Sequence, residues 1–263
     1  MKSPGQRRTA HTPRHRFYVP ASERNGTEIG LSAATAHQLR QVLRLKKGDS
    51  IVVFHGDGDE HVVRLETLGR AGGRGQILET RHCTADPRVA VTLYQALLPR
   101  ERFEQVVQKG TEVGISFLVP LVTERCQSRG RSATSERLQR WRRIAQEATE
   151  QCGRSRVPEV RPFVDLQAAL SQSGSETALI AWEGERQRSV RAALSPVRRR
   201  ARLASVSLLA GPEGGFTMAE VEQSVAAGAL TVSLGPRTLR SETAGPLLAA
   251  LVLHELGELE PPR

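Results

Sequence analysis

Val206-Ser-Leu-Leu-Ala-Gly-Pro-Glu-Gly-Gly-Phe216 and Val232-Ser-Leu-Gly-Pro-Arg-Thr-Leu-Arg-Ser-Glu-Thr-Ala244 share one pattern. Each opens on an apolar stretch cut off by glycine, which reads as a buried strand. Each then runs through a loop into a helix. The first helix is announced by Thr217 and Glu220, spaced as a capping box, and the second by Ser241-Glu-Thr-Ala244. In open α/β sheets, ligands sit outside the carboxyl ends of strands, where such loops gather. The loops 211–216 and 235–243 are therefore expected to form one pocket.

The same alternation extends upstream. Residues 89–97, 117–122 and 179–182 read as strands. Phe103, Val106, Val107, Gly110 and Val113 mark one helix face. Leu138, Trp141, Ile144, Ala145, Ala148 and Cys152 mark another, with Ser135 read as its N-cap and Gly153 as its stop. Strands alternating with long helices imply an α/β domain with a parallel sheet, assigned to residues 86–263. Before Asp86-Pro87 the texture is different. Strands at 16–19, 50–54, 61–68 and 76–80, a helix at 32–43 and Gly/Asp turns describe a small β-barrel or sandwich over 15–85. The glycines of Gly72-Gly-Arg-Gly75 read as a turn ahead of the last of these strands, and Asp57 and Asp59 as turn residues. Residues 1–14 carry Lys2, Arg7, Arg8 and Arg14 without an acid, the composition of a disordered basic tail.

A chain of 263 residues with 38% hydrophobic and 25% charged residues is a soluble globular protein, with no apolar run near the roughly 20 residues that span a bilayer. Cys83, Cys126 and Cys152 are few, odd in number and widely spaced, as in a reducing cytoplasm, and neither they nor His37, His55, His61 and His82 have metal-ligand spacing. The net charge of +10, mostly from arginine, favours a nucleic-acid partner. Arg16, Lys46, Lys47, Arg137, Arg140 and Arg198 are candidate RNA contacts, although a solvated surface explains any one of them equally well.

The 211–215 loop lacks the Lys-Ser/Thr pair of a phosphate cradle and the Gly-x-Gly-x-x-Gly order of a dinucleotide site. It also carries Glu213, which would repel a pyrophosphate. A carboxylate among glycines suits a ligand with positive charge and hydroxyl donors, such as S-adenosylmethionine; an exposed turn residue is the other reading. Arg240 and Glu242 form a charged pair at a strand end that serves either catalysis or the capping of the last helix.

Together, Gly211-Pro-Glu-Gly-Gly-Phe216 and Leu234-Gly-x-x-x-Leu-Arg-Ser-Glu-Thr-Ala244 resemble the RsmE family, 16S ribosomal RNA (uracil-N3)-methyltransferases of the SPOUT class. Gln108-Lys-Gly-Thr-Glu-Val-Gly114, Glu124-Arg125 with Trp141 and Glu147-Ala148, Arg156-Val-Pro158, and His37 to Arg44 with Gly48-Asp49 resemble further family segments in the same order. Thr238 and Ser241 depart from it, where a branched aliphatic residue and Thr are usual. The resemblance implies a PUA-like RNA-binding barrel followed by an α/β trefoil-knot domain. It further implies a cytoplasmic homodimer, with 16S RNA or the small ribosomal subunit as partner. S-adenosyl-L-methionine would be held by Leu209, Ala210, Gly211, Glu213, Gly214, Gly215, Leu234, Gly235, Leu239, Arg240 and Thr243. Arg240 and Glu242 would be catalytic. A related enzyme acting on another base, or a non-catalytic ribosome-assembly protein that keeps the fold, are the alternatives.

Overall fold

The computed structural model describes residues 13, 15–126, 135–172, 177–198 and 205–261. The tail assigned to residues 1–14 lies almost wholly outside them, as does the side chain of Arg198. The chain falls into two compact units that divide after Cys83.

The first unit is a single six-stranded sheet with a short helix. Its elements are β1 (Arg16–Tyr18), β2 (Arg24–Asn25), β3 (Glu28–Leu31), α1 (Ala33–His37), β4 (Ser50–Phe54), β5 (Asp59–Leu68) and β6 (Gly73–His82). The strand order is β1-β4-β5-β6-β3-β2, antiparallel except for the β1–β4 pair. Phe17, Ile29, Leu31, Leu39, Ile51, Val53, Val63 and Leu65 make its core. Ser32 caps α1 by accepting the Thr35 N–H, and the helix continues directly into one π-turn, Gln38–Val42. The glycines read as a turn at 73–75 belong instead to β6. Gly75 lies opposite both Ile29 and Leu65, and a Cβ there would come within 2.5 Å of Val63 Cγ1. Close approach of neighbouring strands, not a turn, is what these glycines serve.

The second unit alternates strands and helices. In order these are β7 (Ala90–Ala96), α2 (Arg100–Val113), β8 (Phe117–Val122), α3 (Ser135–Cys152), β9 (Glu159–Val160), β10 (Val164–Asp165), α4 (Leu166–Gln172), β11 (Thr177–Ala181), α5 (Val190–Arg198), β12 (Ser205–Ala210), α6 (Met218–Ala226), β13 (Leu230–Val232) and α7 (Ser241–Glu255). Every strand pair is parallel, in the order β10-β8-β7-β12-β11-β13, with β9 also beside β8. A sheet covered on both faces needs apolar residues throughout. Val206, Leu208, Leu209 and Ala210 of β12 are accordingly buried in succession. Helices α2, α3, α5 and α7 close one face around Phe103, Trp141, Leu194 and Leu253, while α4 and α6 close the other around Leu166, Phe216 and Val221. Ser135, read as the N-cap of α3, is counted within that helix and is the first residue described there. Gly153 ends it with a left-handed φ of 87°.

The strand order decides where a ligand can sit. From β11 the chain moves to β12 on one side and then to β13 on the other. The loops leaving these three strands therefore flank a topological switch point at β11.

Candidate active site

A cavity of about 370 Å³ opens at the carboxyl ends of β11, β12 and β13, within the range of small-molecule sites. Its walls come from three loops. Gly211–Phe216 leaves β12 and Ser233–Leu239 leaves β13, the two loops expected to meet. The third, Trp182 to Arg186 after β11, went unread in the sequence although its strand was recognised. Only the sheet order shows that β11 lies between the other two.

The 211–216 loop is braced from several sides. Gly215 has φ 66° and donates to the Pro212 carbonyl at 3.0 Å, while the Glu183 carboxylate occupies the space a Cβ would need there. Arg125, in the loop after β8, donates to the Gly214 carbonyl at 2.8 Å. Thr217 and Glu220 make the expected capping box. Glu220 also accepts the Glu124 N–H at 2.6 Å, tying the exits of β8 and β12 together. Gln95, fully buried at the end of β7, directs Nε2 toward the Gly211 carbonyl at 3.5 Å.

The acidic residues divide by what already holds them. Glu213 is ion-paired with Arg102 of α2, a long-range partner that nothing in the loop announces. Glu185 accepts the Thr231 hydroxyl at 2.6 Å and the Gln187 and Arg188 N–H groups at 2.8 and 3.0 Å. The Thr231 hydrogen bond above all, then the Arg188 and Gln187 N–H groups, hold its carboxyl well below the usual range, at about 2. Glu185 is thus a brace within the loop. Glu183 lines the same cavity, is exposed, and forms no ion pair among the described residues. It is the carboxylate available to a ligand.

Of the residues singled out for a cofactor, Gly211, Glu213, Gly214, Gly215, Leu234, Gly235 and Leu239 line the cavity. Leu209 and Ala210 are buried at the end of β12, Thr243 is exposed, and none of these three borders the cavity. Arg240 is exposed at the N-cap of α7, where its carbonyl accepts from Thr243 and Ala244 at 2.9 and 3.0 Å. No side chain caps that helix, despite the Ser-Glu-Thr at its start. Arg240 and Glu242 do not form an ion pair among the described residues. Glu242 has one carboxylate oxygen, Oε2, buried without a hydrogen-bond partner. That is a costly state unless a ligand or proton relieves it.

The basic candidates also divide. Arg16 is ion-paired with Glu60 and lies over the Phe54 ring, and Arg140 is held by Glu104. The Arg137 guanidinium lies 5.0 Å from the centre of the Trp141 ring. Lys46 and Lys47 are exposed. Among the described residues, no group of three His, Cys, Asp or Glu could hold a metal ion, and no helix is long and apolar enough to cross a membrane.

Comparison with known proteins accords with this arrangement. A family model described as an RNA methyltransferase domain matches residues 85–253, and one described as an RNA methyltransferase PUA domain matches residues 31–72. Ribosomal RNA small subunit methyltransferase E of Synechocystis is 33% identical over 93% of this chain and 78% of its own length. The Bacillus subtilis protein of the same name is 28% identical over 93% and 97%. The crystal structure of that enzyme from Neisseria gonorrhoeae, bound to S-adenosyl methionine, superposes with a TM-score of 0.81. It is 33% identical and covers 94% of this chain and 98% of its own. The architecture is that of the SPOUT-type α/β knot with a PUA-like N-terminal domain. With one family model matching most of the second unit and relatives 33% identical over more than nine-tenths of its length, the chain belongs to the ribosomal RNA small subunit methyltransferase E (RsmE) family of RNA methyltransferases.

Proposed function

We propose that this chain is an S-adenosylmethionine-dependent methyltransferase that acts, as a cytoplasmic homodimer, on N3 of a uridine in 16S ribosomal RNA. The observation that carries the reading is the cavity at β11, β12 and β13, walled by glycines on two loops and by the unpaired Glu183 on the third. A glycine wall admits close backbone approach, and a free carboxylate suits an ammonium group or ribose hydroxyls. Gly211, Glu213, Gly214, Gly215, Leu234, Gly235 and Leu239 would hold the cofactor, with Leu209, Ala210, Arg240 and Thr243 acting from behind or beside the residues that line the cavity. When bound, S-adenosylmethionine supplies an electrophilic methyl group on a sulfonium centre.

The protein's own part is to present N3 of uridine without its proton. N3 lies on the Watson–Crick edge, so the target base has to be unpaired and turned out of its stack. Loss of the N3 proton spreads negative charge onto the two flanking carbonyl oxygens. Arg240, exposed and outside any ion pair among the described residues, would stabilise that charge. Glu242, with its unpartnered Oε2, is the group assigned to take or relay the proton. Leu247 of α7 is only partly buried in the single chain, an apolar position that a second copy could cover.

Calorimetric titration with S-adenosylmethionine, followed by nucleoside mass spectrometry of small-subunit RNA incubated with protein and cofactor, tests the assignment. Stoichiometric binding and N3-methyluridine are expected. Absence of cofactor binding would refute an enzyme, and a different methylated nucleoside would refute the N3 assignment.

A further inference from the structure

Arg44 is, among the described residues, the only non-glycine with a left-handed backbone, at φ 57°. The cause is local. After the π-turn at Gln38–Val42, Leu43 donates to the Gln38 carbonyl at 3.0 Å and Leu45 donates to the Leu39 carbonyl at 2.8 Å. The second bond closes a Schellman-type stop, and Leu45 packs with Leu39 on the core of the first unit. Such a stop needs positive φ at the residue before Leu45. Glycine adopts it freely, whereas a residue with a Cβ is strained there.

The contacts that close the stop are made by Leu45 and leave the Arg44 guanidinium without a role in it. Arg44 is exposed and takes part in no side-chain hydrogen bond or ion pair among the described residues. Its surroundings in the chain are cationic: Arg40 precedes it by one turn, and exposed Lys46 and Lys47 follow. The nearby carboxylate, Asp49, is engaged by the Lys46 N–H at 2.7 Å. Val42, 67% exposed, stands beside them. π-turns and strained residues both recur at functional sites.

We propose that Arg44 is an RNA-phosphate contact, and that the strained stop is retained because it presents this guanidinium, with Lys46 and Lys47, to the backbone of the substrate RNA. An arginine fork matches a phosphate in two hydrogen bonds, which a glycine stop could not supply. The inference rests on the methyltransferase reading only for the identity of the nucleic acid.

The test compares the full-length protein with Arg44→Gly and Arg44→Asn, both of which tolerate left-handed backbone and remove the charge. The probe is a protein-free transcript of small-subunit ribosomal RNA. Each variant is expected to bind it about five- to tenfold more weakly, with the slope of log affinity against log salt reduced by about one. Arg44→Gly should also melt about 2–4 °C higher, because the strain is relieved. Affinity for S-adenosylmethionine should not change. Unchanged RNA affinity and slope in both variants would overturn the proposal. A lower melting midpoint in both would overturn it too, since the arginine would then be serving the turn. A wild-type protein that binds the transcript but transfers no methyl group to it or to assembled small ribosomal subunits would refute the methyltransferase reading, while the Arg44 comparison would still decide this one.

Discussion

Asp86 and Arg154 show what a single residue can hold in the second unit. Their side chains are 7% and 5% exposed, with Arg154 Nε 3.0 Å from Asp86 Oδ1. Arg154 also donates to the Thr111 and Ile115 carbonyls at 2.8 and 3.0 Å, and the Ser155 N–H donates to the other Asp86 oxygen at 3.0 Å. One group thus fastens the entry to β7, the end of α2 and the exit of α3. Removing one partner leaves a buried charge uncompensated, so Asp86→Ala should cost about 3–5 kcal/mol in urea unfolding. A loss below about 1 kcal/mol would show that water replaces the carboxylate. Arg240 is the opposite case. Its side chain caps nothing and pairs with nothing among the described residues, so the structure offers little for it to stabilise. Arg240→Ala should shift stability by less than about 0.5 kcal/mol. Turnover should nevertheless fall at least about a hundredfold, the scale of one lost oxyanion donor. A variant that methylates RNA at the wild-type rate would remove Arg240 from the chemistry.

At the scale of elements, the capping box of α6 does more than start a helix. Glu220 accepts the Thr217 N–H at 2.8 Å and the Glu124 N–H at 2.6 Å, so the helix start and two strand exits share one carboxylate. Glu220→Ala should cost about 2 kcal/mol and weaken cofactor affinity with it, because the 211–216 loop is released. Unaltered cofactor binding in that variant would confine Glu220 to capping. Strand β5 carries a different liability. His61 is fully buried, 5.0 Å ring to ring from His55, with Nε2 unpartnered. Burial first, and His55 second, push its pKa below the usual 6.5. In the pH range between the depressed folded value and 6.5 the unfolded chain binds more protons, so stability falls as pH falls. The first unit should lose stability on acidification below about pH 6.5, followed by hydrogen exchange in β5, and His61→Phe should flatten that dependence. A dependence unchanged by the substitution would assign it to other groups. These elements also separate what was legible in the sequence from what was not. The capping box, the parallel α/β alternation and the meeting of two loops follow from local spacing. The wall after β11, the pairing of Glu213 with Arg102 and the strand role of Gly73–Gly75 depend on which strands become neighbours, which no local pattern encodes.

For the whole molecule, the cavity and the charge make different demands on solvent. The net charge of +10 is spread over a chain in which several arginines are already neutralised, Arg16 by Glu60 and Arg140 by Glu104. The net charge already subtracts those acids, so the ion pairs decide which cations remain for RNA, and exposed groups such as Lys46 and Lys47 carry more of the binding. Each phosphate they neutralise releases counterions, so affinity for RNA has to fall steeply as salt rises. The cofactor cavity works by a different balance. Its ligand is small, its glycine walls act through backbone approach, and a carboxylate in contact with the bound ligand is screened less than charges across open solvent. Raising KCl from about 50 to about 200 mM should weaken RNA binding at least about tenfold, consistent with three or more phosphate contacts. Cofactor affinity measured over the same range should move by less than about threefold. The two titrations have to diverge if surface charge and cavity serve separate partners in one reaction. An RNA affinity that stays level across that range would mean the basic surface is not the RNA-binding face, whatever the cavity does.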